Sequence, residues 1–337
     1  MNSVASSIRR ANLAAARLHT KLRIKNKISK MNGRVDIFDV VSRLDIPLMF
    51  KPLDGLLGAY LVDPAPGMVV TTKRPLSVQR FTAAHELGHH VLQHLSSLDD
   101  EDVIHRHVDS FVTDKSLQEL EANAFAAAFL LPQWLIAWHC KRQGWVKETL
   151  KRPDIVYQLA LRTGLSFQAT CWTLQREKFI SGSDARVIAG TELKTIKKIL
   201  LGDLTPPNYY GDVWILTERD TDGLIEGGPS DIFVVRLLEH SGSGYLWDIE
   251  ELGRNGFKIF QDDRSSASQT EVIGGFTTRS VVTSPPERSS GKITLVESRP
   301  WSPSEPLGVF SLQYDIAGAE LEGISRAEKR YQFSAVQ

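Results

Sequence analysis

Residues 81–94 read FTAAHELGHHVLQH, from Phe81 to His94. Within them His85, Glu86, Leu87, Gly88 and His89 form an H-E-x-x-H pattern. The neighbours predict a buried helix: Phe81, Ala84, Val91, Leu92 and Leu95 can pack its sides and back. Four helical residues rise about 6 Å and return to the same face. His85 and His89 can therefore share one Zn²⁺ at about 2.0–2.1 Å each. Glu86 follows the first of them, so it points beside the metal and can take a proton from water. Gly88 leaves room for another backbone or a substrate. A helix carrying two histidines by chance is the competing reading.

A hydrolytic zinc needs a third protein ligand and an open position. The best donor lies in LQELEANAFAAAFLLP, Leu117 to Pro132, which reads as a helix ended by the proline. Glu119 and Asn123 are four apart and share a face, which makes Glu119 the third ligand and Asn123 a partner steadying a ligand histidine. Glu121 competes, although it is rotated about 200° from Glu119.

With these residues in view, RFTAAHELGHHVLQH followed by ELEANAFAAAFLLP resembles the ImmA/IrrE metallopeptidases of bacteria and their mobile elements. The resemblance runs from about Asp36 to about Ser181. It implies a zincin-like α+β domain with His85, His89 and Glu119 as zinc ligands and Glu86 as general base. It also implies a substrate class, since family members typically cleave a helix-turn-helix repressor.

The rest of the chain fits a cytoplasmic protein of more than one domain. Its 40 basic and 40 acidic residues cancel, so no whole-chain field draws it to nucleic acid or membrane. No apolar run reads as long enough to span a bilayer. Cys140 and Cys171 are far apart and give no disulfide framework. Residues 1–34 are basic, with no acid before Asp36. They read as a solvated helix, with a targeting segment or a nucleic-acid arm as alternatives. Residues 35–140 form the predicted peptidase domain: a helix over 35–44, a strand over 47–51, and a hairpin of 56–63 with 68–72. One of these strands could hold substrate backbone, or the hairpin could be purely structural. Ser77 could cap the zinc helix. His105 and His107 read as loop residues near the cleft.

Residues 141–204 form a helical module. Its Val156–Lys178 stretch has helix-turn-helix spacing, with Gly164 at the turn and Ser166 as cap. Gln168, Thr170 and Thr173 are the residues a DNA reader would use, but no cation precedes Arg176, so a structural module is favoured. Beyond Thr205-Pro206-Pro207 the pattern changes to seven short β runs over 208–320, predicting an all-β sandwich. A tail, 321–337, follows.

Three loops stand out in the β region: Ser243, Gly244 and Tyr245 before Trp247; Gly274 and Gly275; and Arg299, Pro300 and Trp301. The trio resembles the loops of chagasin-type inhibitors of papain-like cysteine proteases, which implies an immunoglobulin-like fold. Here His240-Ser241-Gly242-Ser243 replaces the family's Asn-Pro-Thr-Thr. The fold expectation survives, with Tyr245, Trp247 and Trp301 as core and corner residues and the loops as a protein-binding surface. The function expected is that of a zinc endopeptidase acting on a repressor. The alternatives are a binding or protease-inhibitor module, and a DNA-binding regulator with a non-catalytic zinc site.

Overall fold

The computed structural model describes residues 2–28, 33–63, 65–99, 114–266 and 276–335. The helices in chain order are α1 (Asn2–Lys21), α2 (Ile24–Ile28), α3 (Ile37–Arg43), α4 (Leu76–Leu92), α5 (Asp114–Leu130), α6 (Gln133–Gln143), α7 (Pro153–Thr163), α8 (Phe167–Arg176), α9 (Gly182–Ala189), α10 (Leu193–Leu201), α11 (Glu250–Arg254) and α12 (Arg326–Ala335). The strands are β1 (Leu48–Lys51), β2 (Gly58–Leu61), β3 (Gly67–Thr71), β4 (Ser97–Asp99), β5 (Val213–Leu216), β6 (Gly223–Glu226), β7 (Ile232–Glu239), β8 (Leu246–Trp247), β9 (Lys258–Ser266), β10 (Thr277–Ser284), β11 (Ser290–Ser298), β12 (Gly308–Asp315) and β13 (Gly323–Ile324). They divide into two compact units. One comprises Met1–Trp138, Thr163–Glu177 and Ala319–Gln337; the other comprises His139–Arg162 and Lys178–Gly318.

The first unit sets α4 against a five-stranded sheet of order β13-β1-β3-β2-β4, and α5 packs on α4. β1 runs parallel to β3, and the other pairs are antiparallel. α3 is capped by Asp36, whose side chain accepts from the Asp39 amide. α4 begins after Pro75 with no side-chain cap, so Ser77 lies inside the helix rather than at its cap. It ends with Gln93 in the left-handed region at φ 59°. That turn sends Leu95 out of the core, where it is 75% exposed instead of packing the helix. The basic helix α1 is not merely solvated: Ala11, Ala15 and Leu18 bury a stripe at helical spacing, and α1 packs along α5.

The strands read as substrate-binding are all interior. β1, β2 and β3 each pair on both sides, so none offers a free edge. Among the described residues the edges are β4 and β13. Residues 321–337 are therefore more than a tail: β13 closes the β1 edge and α12 packs on α3. Gln79, fully buried on α4, donates to the carbonyls of Thr71 and Glu320 and accepts from the Glu320 amide.

In the second unit, sheets β5-β7-β10-β9 and β6-β12-β11-β8 share one hydrophobic core, with Trp214, Phe233 and Val281 from one and Ile293, Phe310 and Tyr314 from the other. Two pairs, β5 with β7 and β6 with β12, are parallel. All seven predicted runs contain a strand. β6 and α11 were not legible as elements, because each is short and neither shows a clean period.

The predicted helix-turn-helix is used for packing. α7 shields the edge strand β5: Gln158 donates to the Val213 carbonyl and accepts from the Ile215 amide, and the Tyr157 hydroxyl accepts from the Val213 amide. Arg162 reaches the Ile215 carbonyl and pairs with Asp220. Gly164 makes the turn at φ +72°, and the Ser166 side chain accepts from Ala169. On α8, Thr170 and Thr173 are buried and unavailable to bases.

Contrary to the expectation of no membrane-length run, 117–143 passes by length and hydropathy. That stretch is α5 and α6 with a break at Leu131 and Pro132, and half of its most apolar window is buried.

Helices α4 and α5 approach closely at Gly88. A Cβ built there would lie 3.1 Å from the Ala122 Cα and 3.3 Å from its carbonyl oxygen. Backbone atoms cannot rotate away, so Gly88→Val should cost about 1–3 kcal/mol. The expected result is a lower urea midpoint with an unchanged slope.

Candidate metal centre

The crossing of α4 and α5 determines which side chains meet. His85 and His89, both fully buried, project from α4, and Glu119 projects from α5. The two Nε2 atoms lie 3.0 Å apart, and Glu119 Oε2 is 3.1 Å from His85 Nε2 and 3.6 Å from His89 Nε2. A tetrahedral ion with ligand bonds of 2.0–2.1 Å has ligand–ligand edges of about 3.3 Å. The three atoms therefore converge at the spacing zinc requires, and two imidazoles with a carboxylate are a fitting donor set. Burial acts to raise the Glu119 carboxyl, but hydrogen bonds and charge from His85 and His89 outweigh it and bring the group down to about 2. It is ionised, as a ligand must be.

Each ligand histidine is held from behind. His85 Nδ1 donates to Asn123 Oδ1 at 2.9 Å, leaving Nε2 as the metal-facing lone pair. His89 Nδ1 lies 3.0 Å from His94 Nδ1, and His94 Nε2 lies 2.9 Å from Glu121 Oε2. Since the carboxylate only accepts, His94 carries its proton on Nε2 and takes the His89 Nδ1–H at Nδ1. Glu121 is not a ligand in this geometry. It anchors His94 and is itself 3.6 Å from Arg10 of α1, which also donates to the Leu92 carbonyl at the end of α4. Burial holds the His94 imidazole below its ordinary value, against the hydrogen bond it donates to Glu121, which raises it. His94 stood in the quoted stretch without a role. The left-handed turn at Gln93 brings it back beside His89, and no periodic pattern announces such a turn.

Glu86 is fully buried on α4 and faces β2, where a Cβ on Gly58 would come within 2.4 Å of Glu86 Oε1. Gly58 is thus required by the putting of a carboxylate under the sheet, which sequence reading missed. Tyr60, also on β2, stacks on His89 and hydrogen-bonds His90 through its hydroxyl. His105 and His107 lie outside the described residues.

With the site in place, comparison with known families gives a match between residues 41–175 and the M78 peptidase model, described as the IrrE N-terminal-like domain. The match makes this segment similar to a metallopeptidase-type domain. Both helices of the candidate centre, α4 and α5, fall within it. No curated protein matches the chain.

Solved structures similar to the C-terminal region include the cysteine protease inhibitor EhICP2 from Entamoeba histolytica, at 24% identity over 32% of this chain and 99% of that one, with a TM-score of 0.29. Amebosin is similar at 22% identity over 31% of this chain and 97% of its own, with a TM-score of 0.26. PbICP-C, solved in complex with falcipain-2, has 17% identity over 34% of this chain and 95% of that one, with a TM-score of 0.20.

The predicted loop residues divide. Gly274 and Gly275 lie outside the described residues. The other two loops meet: Trp301 covers Gly244, which turns at φ +79°, and Arg299 stacks over Tyr245 while donating to the Ser243 carbonyl. Trp247 is buried as expected, but Trp301 is 72% exposed rather than a core residue, because it rests on a turn at the end of the sheets. Pro300 sits between Arg299 and Trp301 in this turn, which closes through a bridge from Arg299 to Ser302.

The outer partners of the two histidines define the centre as firmly as the ligands. Asn123→Ala and His94→Ala should each weaken zinc binding about 10–100-fold, and Glu119→Ala should weaken it more than Glu121→Ala. Competition with a chromophoric chelator measures all four.

Proposed function

We propose that the first unit is a zinc-dependent endopeptidase acting on a protein, with a helix-turn-helix repressor as the substrate class. The convergence of His85, His89 and Glu119 beside the buried Glu86 carries the reading. When bound, zinc would polarise the scissile carbonyl and make an attacking water more acidic. Glu86 would take the proton from that water and return it to the leaving amine. Asn123 and His94 would keep both imidazoles in the tautomer that presents Nε2. The outer edge of β4 is the strand we assign to substrate backbone, since β2 and β3 are already paired. A cytoplasmic setting completes the reading and agrees with two unpaired cysteines. The DNA-reader alternative is disfavoured by the burial of Thr170 and Thr173.

Glu86→Gln removes the base and keeps the shape. It should retain zinc and the fold while losing cleavage by about 10²–10⁴-fold. Purified protein would be incubated with the product of a neighbouring helix-turn-helix gene. Cleavage by the variant at the wild-type rate would sink the mechanism.

A second role is supported by one observation in the β unit. Trp301 and Phe276 are both exposed, and Phe276 packs edge-on against His240 at the start of the Ser243 turn. We assign this end to contact with a protein partner, with immunoglobulin-like loop presentation and protease inhibition as the narrower forms of the idea. Because Trp301 is exposed, Trp301→Ala should leave the melting temperature unchanged and abolish partner capture, while zinc content stays constant. Calorimetry with the partner, or with a papain-like protease, reads the first effect.

A further inference from the structure

Helix α4 carries one more polar side chain on the face of Glu86, and the chemistry above gives it no task. Thr82 is fully buried. A helical threonine commonly turns its hydroxyl back to the carbonyl three or four residues earlier, here that of Gln79 or Val78. Thr82 Oγ1 makes neither bond and has no other hydrogen-bond partner among the described residues. A buried hydroxyl left this way destabilises a fold, and valine would fill the same volume without that cost.

Its surroundings show what the hydroxyl can reach. β2 runs over this part of α4. A Cβ built on Gly58 would lie 2.4 Å from Thr82 Cγ2 and 2.4 Å from Glu86 Oε1. The threonine methyl and the carboxylate oxygen therefore meet at one point beneath the strand. Residues four apart on a helix share a face, which brings the two together. One χ1 step of about 120° carries Oγ1 to the place the methyl holds, facing the carboxylate. Both side chains are fully buried, so water does not compete for a bond formed there.

We propose that Thr82 is a positioning residue for Glu86, whose hydroxyl donates to Oε1 when the carboxylate acts as base. The bond fixes the plane of the carboxylate and leaves Oε2 to take the proton from water. The Thr82 hydrogen is not transferred; it stays on Oγ1 throughout. This inference rests on the peptidase reading of the first unit.

Two variants of nearly the same shape separate this role from a structural one. Thr82→Val keeps the volume and removes the hydroxyl; Thr82→Ser keeps the hydroxyl and removes the methyl. Full-length proteins would be incubated with the neighbouring helix-turn-helix gene product, and zinc content and melting temperature measured beside cleavage. Thr82→Val should lower kcat about ten- to a hundredfold, leave KM and zinc content unchanged, and melt no lower than wild type. Thr82→Ser should melt lower and keep most of the cleavage rate. A wild type that does not cleave, or a Glu86→Gln protein that does, removes the peptidase reading and this inference with it. Where those two controls behave as expected, Thr82→Val cleaving at the wild-type rate overturns this inference alone. So does a lowered melting temperature in Thr82→Val, which would give the hydroxyl a structural partner. Thr82→Ser losing as much rate as Thr82→Val overturns it as well.

Discussion

The metal centre depends on how closely α4 and α5 can cross. Histidines four apart on one helix supply two ligands at most, so the third must come from a second helix within side-chain reach. The absence of a Cβ at Gly88 lets the α5 backbone at Ala122 approach α4, and Glu119 lies one turn before that contact. Around it the small residues Ala83, Ala84, Ala122 and Ala126 are all fully buried. Small side chains at a helix crossing bring the axes together, and the bulkier Phe125 and Phe129 stack on one another beside it. The ligand geometry is thus a packing result before it is a chemical one.

The separation of chemistry from support explains what could be read in the sequence. His85, Glu86, His89, Glu119 and Asn123 are visible because their spacing on two helices has one period, and the structure brings His85, His89, Glu119 and Asn123 to one place, with Glu86 buried on the same helix as the histidines. The sheet strands were legible from apolar alternation and the Pro-rich turn between β2 and β3. His94, Gly58 and β13 were not, and for different reasons. His94 depends on a single left-handed residue, Gln93. Gly58 matters through a contact with Glu86, far from it in sequence. β13 is two residues long and finds β1 across more than 270 positions, too short a segment to carry any period. Ser77, Leu95 and Trp301 show the converse error: each residue type fits the role assigned to it, and tertiary context overrode the fit.

The same limit applies to the helix-turn-helix spacing. An αα-hairpin pattern specifies two helices and a turn, and these are present. It does not specify what the helices face. α7 spends Tyr157, Gln158 and Arg162 on the backbone and neighbours of β5, and so satisfies an edge that would otherwise invite another strand. Three polar side chains on one face of a helix could equally have read nucleic acid. Their partners here are main-chain groups, Asp212 and Asp220, and these bonds favour a packing role for α7.

Helix α1 shows why net charge is a poor guide at this scale. The protein's charges cancel, yet its first 28 residues carry a run of cations. Arg10 is used locally, against Glu121 and the carbonyl end of α4, where a cation is favoured by the helix dipole. Its apolar stripe is used against α5. A helix that contacts the support of His89 through Arg10 and packs along α5 is a structural part of the first unit. Arg10 sets a cation 3.6 Å from the buried Glu121, and Glu121 in turn accepts the His94 Nε2–H, which leaves Nδ1 of His94 to hold His89 in place.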